Sequence, residues 1–99
     1  MRAAVYHGQS DIRMEDMPIP RISSDEVLVE MKACGICGSD LMDWYLESRV
    51  PLVLGHEPTG TIVETGPEVQ AFQPGDRIFA HHHVACLKCY YWRHQDYTL

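Results

Sequence analysis

The stretch VLVEMKACGICGSDL, residues 27–41, joins the most regular strand pattern of the chain to a turn rich in glycine and cysteine. Apolar side chains alternate from Val27 to Ala33, which predicts a β-strand over residues 25–33 that supplies the main core face. Gly35 and Gly38 interrupt this pattern. Ser39-Asp40 then predicts the start of one short amphipathic helix that extends to residue 46.

The remainder of the chain reads as short strands separated by glycine and proline turns. Strands are predicted over residues 3–6, 12–17, 59–65 and 77–80. Many short strands with such turns favour a mainly β fold of the small-barrel or sandwich-like type. Residues 81–99 lack periodicity, and we expect this tail to need a metal ion or a neighbouring domain to order it.

Composition and charge exclude several classes of partner. The chain has 99 residues, 45% of them apolar and 22% charged, which is typical of a globular domain. Eight basic and 14 acidic residues give a net charge of −6, which argues against nucleic acid or an anionic membrane as partner. The sequence has no long apolar run and is polar again by His7, so we expect no signal peptide and a cytoplasmic protein.

Four cysteines form two C-x-x-C pairs, at Cys34/Cys37 and Cys86/Cys89. In a chain without an export signal, such pairs bind metal or perform redox chemistry more often than they form disulfides. One interpretation is a structural module in which all four thiols bind one zinc ion. However, 48 residues separate the two pairs, whereas about 15–20 is usual in such modules.

A second grouping combines ligands from two glycine-flanked turns. Cys37 lies between the predicted strand and helix, and His56-Glu57 follows Gly55 at the start of the next strand. Thiolate and imidazole are common zinc ligands, and a carboxylate can bind the ion or orient a ligand. Ser39 would place a hydroxyl near such an ion, where it could accept the proton of an alcohol.

The motifs occur in an order that resembles a known family. The segments KACGICGSDL (32–41), GHE (55–57), GDRI (75–78) and the Cys86–Cys89 pair resemble the zinc-dependent medium-chain alcohol dehydrogenases, over the whole range 1–99. The resemblance implies a GroES-like, partly open β-barrel. Residues 1–99 would be the N-terminal part of the catalytic domain, truncated and without the Rossmann domain, and residues 81–99 the start of a structural-zinc lobe. The chain contains no G-x-G-x-x-G motif.

The resemblance also implies roles for individual residues. Cys37 and His56 would bind the catalytic zinc, and Glu57 would bind it or assist water exchange. Ser39 would accept the proton of the substrate hydroxyl, and Asp40 would hold His56. Cys34 would be a small buried bystander. The implied reaction oxidises an alcohol or polyol, or reduces the carbonyl, with NAD or NADP bound by a domain absent from this chain.

Two departures from the family pattern limit what is implied. Met42 stands where many members carry a relay histidine, and Trp92 stands in place of the third cysteine of the structural lobe. Cys86 and Cys89 therefore remain candidate metal ligands of an incomplete set. The full-length enzyme is expected to be a homo-oligomer that acts on a small molecule. A co-chaperonin of similar barrel type is the alternative that needs no metal ligands.

Overall fold

The computed structural model describes residues 1–84 and 86–97, so the predicted tail over 81–99 is described except at positions 85, 98 and 99. The strands are β1 (Arg2–Gly8), β2 (Asp11–Asp16), β3 (Val27–Gly35), β4 (Leu52–Val53), β5 (Glu57–Thr65) and β6 (Arg77–Phe79). The α-helical turns are α1 (Asp43–Leu46), between β3 and β4, and α2 (Tyr90–Arg93), after β6.

The strands form two antiparallel sheets of three strands each. Their orders are β2-β1-β4 and β3-β5-β6, and both sheets are open at their edges within the described residues. The mainly β architecture predicted from the sequence is therefore confirmed. Strand β4, which was not predicted from the sequence, is only two residues long and pairs with Val5 and Tyr6 of β1.

The core lies mainly on the first sheet. The buried apolar residues of the described chain are Ala3, Val5, Tyr6, Leu46 and Ile62. The prediction that β3 supplies the main core face is wrong, because Val27 and Val29 are only half-buried and Met31 is 51% exposed. The register against β5 shifts between residues 28 and 29 and again between 31 and 33, and such bulges break the strict alternation of faces.

The predicted helix is divided into shorter pieces. Residues Gly38–Leu41 form a 3₁₀ turn, and the α-helical turn begins only at Asp43. The Tyr6 hydroxyl donates to the Asp43 carboxylate at 3.0 Å, and Leu46 is buried, so α1 is held against the first sheet. Tertiary contacts therefore place this short segment, since one helical turn is too short to be stable alone.

The tail contains one element that the sequence did not indicate. The Cys89 sulfur accepts a hydrogen bond from the Trp92 backbone N–H at 3.4 Å and caps the single turn α2. Within residues 1–84 and 86–97, the helices are all too short to cross a lipid bilayer.

Candidate metal centre

The pairing of β3 with β5 brings two sequence-distant turns to one end of the second sheet. Gly35, the last residue of β3, lies opposite Glu57, the first residue of β5. Cys37 follows Gly35 by two residues and His56 precedes Glu57 by one. Antiparallel register therefore places the thiol and the imidazole beyond the same end of the sheet.

Gly35 makes room for the carboxylate of Glu57. A Cβ atom built at Gly35 would lie 2.2 Å from Oε2 and 3.1 Å from Cβ of Glu57. Any larger residue at position 35 would displace this side chain. The glycine in the cysteine-rich turn therefore serves the close approach of Glu57.

Three potential ligand atoms converge here. The Cys37 sulfur, a ring nitrogen of His56 and a carboxylate oxygen of Glu57 all lie within 4.8 Å of one another. A tetrahedral ion with bonds of about 2.0–2.3 Å holds its ligands roughly 3.3–3.8 Å apart. Small side-chain rotations would therefore let all three atoms reach one ion.

Asp40 connects the two turns. Its Oδ2 accepts a hydrogen bond from the Cys37 backbone N–H at 2.9 Å, and its Oδ1 lies 3.3 Å from Nδ1 of His56. The Asp40 side chain is 13% exposed and that of His56 is 25% exposed. A carboxylate on Nδ1 fixes the tautomer in which Nε2 carries the lone pair that binds a metal.

Ser39 lies on the opposite edge of the same imidazole. Its hydroxyl is 3.4 Å from Nε2 of His56. Nε2 has one lone pair, which a metal ion and the Ser39 hydroxyl cannot both use. An ion bound at Nε2 would leave the Ser39 hydroxyl free to bond elsewhere.

Without a metal ion, the electrostatics of the cluster favour a Cys37 thiolate beside a protonated His56, and His56 must release this proton to bind a metal. The pKa of Cys37 is lowered, first by hydrogen bonds from Ser39 and then by His56, while Glu57 opposes this effect. The pKa of His56 is raised, first by its hydrogen bond with Cys37 and then by the charge of Asp40. The thiolate is the form of cysteine that binds metal, so these contacts prepare Cys37 to act as a ligand.

A cavity of about 300 Å³ adjoins the cluster. It is lined by His56, Glu57, Pro58, Thr59, Phe79, Ala80, His81 and His82. The His82 ring lies edge-on to the His56 ring with centroids 4.7 Å apart. His82 is exposed, and its contact with His56 was not predicted from the sequence, where the run of three histidines was the available signal.

Packing against other rings alters the titration of His82. Its pKa is lowered, first because its imidazole is partly removed from water and then because His83, His56 and His81 lie nearby. A neutral imidazole can both donate and accept a hydrogen bond. His82 is therefore suited to contact a hydroxyl group in the cavity.

The structure does not support one site made from all four cysteines. Across residues 1–84 and 86–97, the ligand cluster that contains Cys37 includes neither Cys34, Cys86 nor Cys89. The expectation that Cys34 is buried is wrong. It is exposed near the end of β3, where its sulfur lies 2.7 Å from the position of a Cβ atom built at Gly55.

Cys86 and Cys89 form a compact hook in the tail. The Cys89 backbone N–H donates to the Cys86 sulfur at 3.1 Å. Hydrogen bonds from Cys89 lead the causes that lower the pKa of Cys86. Leu87, between them, has the left-handed φ of +58° that non-glycine residues rarely adopt. N–H donors on sulfur stabilise thiolates, so the hook offers two ligands to a metal.

Comparisons with known proteins match this fold and its motifs. Residues 23–99 match the family model described as "Alcohol dehydrogenase GroES-like domain". The chain is 40% identical over 106 aligned positions to sorbitol dehydrogenase from Bacillus subtilis (strain 168), an alignment that covers 100% of the chain and 30% of that enzyme.

Two solved structures show the same architecture. Zinc dependent alcohol dehydrogenase 2 from Streptococcus pneumonia superposes with a TM-score of 0.76 at 30% identity, over 95% of this chain and 28% of that one. Galactitol-1-phosphate dehydrogenase from Escherichia coli gives a TM-score of 0.83 at 32% identity, over 92% and 27%. The chain spans 22–30% of the length of the sorbitol dehydrogenases that it matches.

Proposed function

The chain belongs to the alcohol dehydrogenase GroES-like domain family, and on that basis we propose that it is the N-terminal part of the catalytic domain of a zinc-dependent oxidoreductase. The proposed reaction interconverts an alcohol or polyol and its carbonyl compound with NAD or NADP. The observation that carries the proposal is the convergence of Cys37, His56 and Glu57 within 4.8 Å beside the Ser39 hydroxyl.

The donor set fits zinc. One thiolate, one imidazole and one carboxylate are ligand types that zinc accepts in tetrahedral sites, and three protein ligands leave a position for substrate. Zinc supplies Lewis acidity there, which lowers the pKa of a bound alcohol and stabilises its alkoxide. Asp40 contacts His56 and can orient it, and the lowered pKa of Cys37 favours the thiolate, which is the ligating form.

We assign Ser39 as the first acceptor of the substrate hydroxyl proton. Its hydroxyl is 3.4 Å from Nε2 of His56 and is freed when that nitrogen binds metal. Met42, one turn further on, carries no titratable group, so we expect the proton to leave through water. NAD or NADP would supply the hydride acceptor and would be bound by a further domain, since the chain covers only 30% of the related sorbitol dehydrogenase.

The substrate class is proposed from the cavity and from the relatives. A volume of about 300 Å³ is suited to a small molecule. Its wall carries the polar groups of Thr59, His81 and His82, which can bond to further hydroxyl groups. A polyol can form more hydrogen bonds with these groups than a simple alcohol can. The names of two related enzymes, sorbitol dehydrogenase and galactitol-1-phosphate dehydrogenase, likewise point to polyol-type substrates.

We further propose that residues 81–99 begin a structural-zinc lobe in which Cys86 and Cys89 are ligands. Their N–H···S hydrogen bonds support thiolate ligation. Because Trp92 replaces the third cysteine, the remaining ligands must come from elsewhere. We propose that the full-length protein is a homo-oligomer and lies in the cytoplasm, where thiols stay reduced. We expect neither nucleic acid nor a membrane as a partner, because the net charge is negative.

Metal analysis of single variants tests the candidate centre. In the protein of full natural length that contains this chain, Cys37→Ser or His56→Ala should each remove one equivalent of zinc. Cys34→Ser is the matched control and should retain it. Loss of zinc with Cys34→Ser but not with His56→Ala would favour the four-cysteine module and refute the proposed centre.

Turnover measurements test the role of Ser39. Ser39→Ala should lower kcat while zinc content stays unchanged, by about 10²–10⁴-fold if proton transfer limits the rate. Ser48→Ala, on the exposed turn after α1, is the control. Unchanged kcat in Ser39→Ala would refute the proton-accepting role but would leave the metal centre standing.

A further inference from the structure

Three consecutive histidines, His81, His82 and His83, form a second cluster of ligand atoms. One ring nitrogen from each lies within 4.8 Å of the other two. The ring centroids are 5.1 Å apart for His81–His82, 4.8 Å for His81–His83 and 4.0 Å for His82–His83. All three side chains are exposed, so an ion in solution can reach them.

Backbone conformation explains why neighbouring residues converge. In a strand, successive side chains point to opposite faces. The chain leaves β6 at Phe79 and bends at His82, so the alternation ends before the triplet. The three rings therefore gather on one side of the bend.

His81 is anchored through one edge of its ring. The backbone N–H of His83 donates to its Nδ1 at 3.2 Å, and the carbonyl oxygen of His83 lies 3.5 Å from the same nitrogen. A metal ion on Nε2 selects the tautomer in which Nδ1 carries the proton and donates to that carbonyl instead, and Nε2 then supplies the lone pair. An Nδ1–H bonded to a backbone carbonyl is the arrangement that commonly orients metal-binding imidazoles.

We propose that His81, His82 and His83 form a second metal site, which takes a divalent cation that prefers imidazole nitrogen, such as Ni²⁺ or Zn²⁺. Imidazole suits Zn, Cu and Ni, whereas Mg²⁺ and Ca²⁺ require oxygen ligands, which this triplet does not supply. The site shares no ligand with the Cys37–His56–Glu57 centre.

The two sites are nevertheless neighbours. The His82 ring is 4.7 Å from the His56 ring, and His81 and His82 line the cavity beside the first centre. An ion on the triplet would therefore lie at the wall of the proposed substrate cavity. The cluster of three histidines includes neither Cys86 nor Cys89 of the hook, whose ligands are thiols.

Nickel titration of the zinc-loaded protein of full natural length tests the proposal. Calorimetry should show one further Ni²⁺ per chain beyond the zinc already bound, with released zinc monitored to exclude exchange. The double variant His81→Asn/His83→Asn should weaken this equivalent by about 10–100-fold or more. His94→Asn is the matched control, because His94 is exposed but lies against Tyr90 outside the triplet.

Absence of a further equivalent in the unchanged protein, or identical binding by the double variant, would overturn the inference. The single variants His81→Gln and His83→Gln repeat the test should the double variant fail to fold. Cobalt absorption separates the sites, since thiolate charge-transfer bands arise only where cysteine binds. Cys37→Ser should retain the extra Ni²⁺, so a failure of the first centre and a failure of the second are distinguished.

Discussion

Asp40→Asn is the sharpest test of how the two turns are held together. The carboxylate accepts from the Cys37 backbone N–H at 2.9 Å through one oxygen and faces Nδ1 of His56 at 3.3 Å through the other. Asparagine keeps the size of the side chain but offers only one acceptor oxygen. Its amide group must therefore face either the Cys37 N–H or the His56 Nδ1–H, donor against donor.

The expected magnitude follows from this loss of one orienting bond. Removing the hydrogen-bonding partner of a metal-binding histidine costs about 10–100-fold in metal affinity. We therefore expect Asp40→Asn to weaken zinc binding by that factor while Cys37, His56 and Glu57 remain present. Competition with a chromophoric chelator at several pH values measures the affinity directly.

Asp43→Asn is the matched control, because Asp43 lies three residues away and accepts from Tyr6 rather than from the centre. It should change thermal stability and leave zinc affinity unchanged. If Asp40→Asn binds zinc as tightly as the unchanged protein, Asp40 does not position His56, and the arrangement argued here is refuted.

Three further perturbations give independent tests. Gly60→Ala would place a Cβ atom 2.3 Å from the Glu30 carbonyl oxygen, so denaturant unfolding should show a free energy of unfolding lower by about 3 kcal/mol. Gly38→Ala is the control and should leave this free energy nearly unchanged, because a Cβ atom there would have no neighbour within 4 Å. Leu87→Gly should slow amide exchange in the Cys86–Cys89 hook, because the left-handed backbone costs leucine about 1–2 kcal/mol, of which the greater entropy loss of glycine on folding offsets only about 0.5–1 kcal/mol. Lys88→Gly should have the opposite effect, and equal effects of the two variants would show that Leu87 is not strained. In zinc-free protein, Ser39→Ala should raise the pKa of Cys37, so alkylation of Cys37 followed by mass spectrometry should require higher pH than in the unchanged protein; an identical pH profile would contradict the assigned hydrogen bond.

The sequence alone predicted those parts of the molecule that depend on local chemistry. Residue type and turn context were sufficient to predict Cys37 and His56, each beside a glycine, as candidate ligands. Five of the six strands, all except β4, were located by alternation and by turn residues. These features depend on neighbours a few positions away, which a sequence displays directly.

Other features depend on contacts between distant segments. Met31 of β3 is exposed although it belongs to the alternating pattern, whereas Val5 and Ile62 are buried, and the register shifts of β3 against β5 cannot be read from that alternation. Cys34 is exposed although its residue type favours burial.

The centre itself shows the same division. Sequence determined which side chains could bind a metal, because sulfur, imidazole and carboxylate chemistry belongs to the residue. Only the pairing of Gly35 with Glu57 decided that Cys37 and His56 meet, and only the bend after β6 decided that His82 reaches His56. Antiparallel register and chain reversal are properties of the folded backbone, so the distances that make a site are settled in three dimensions.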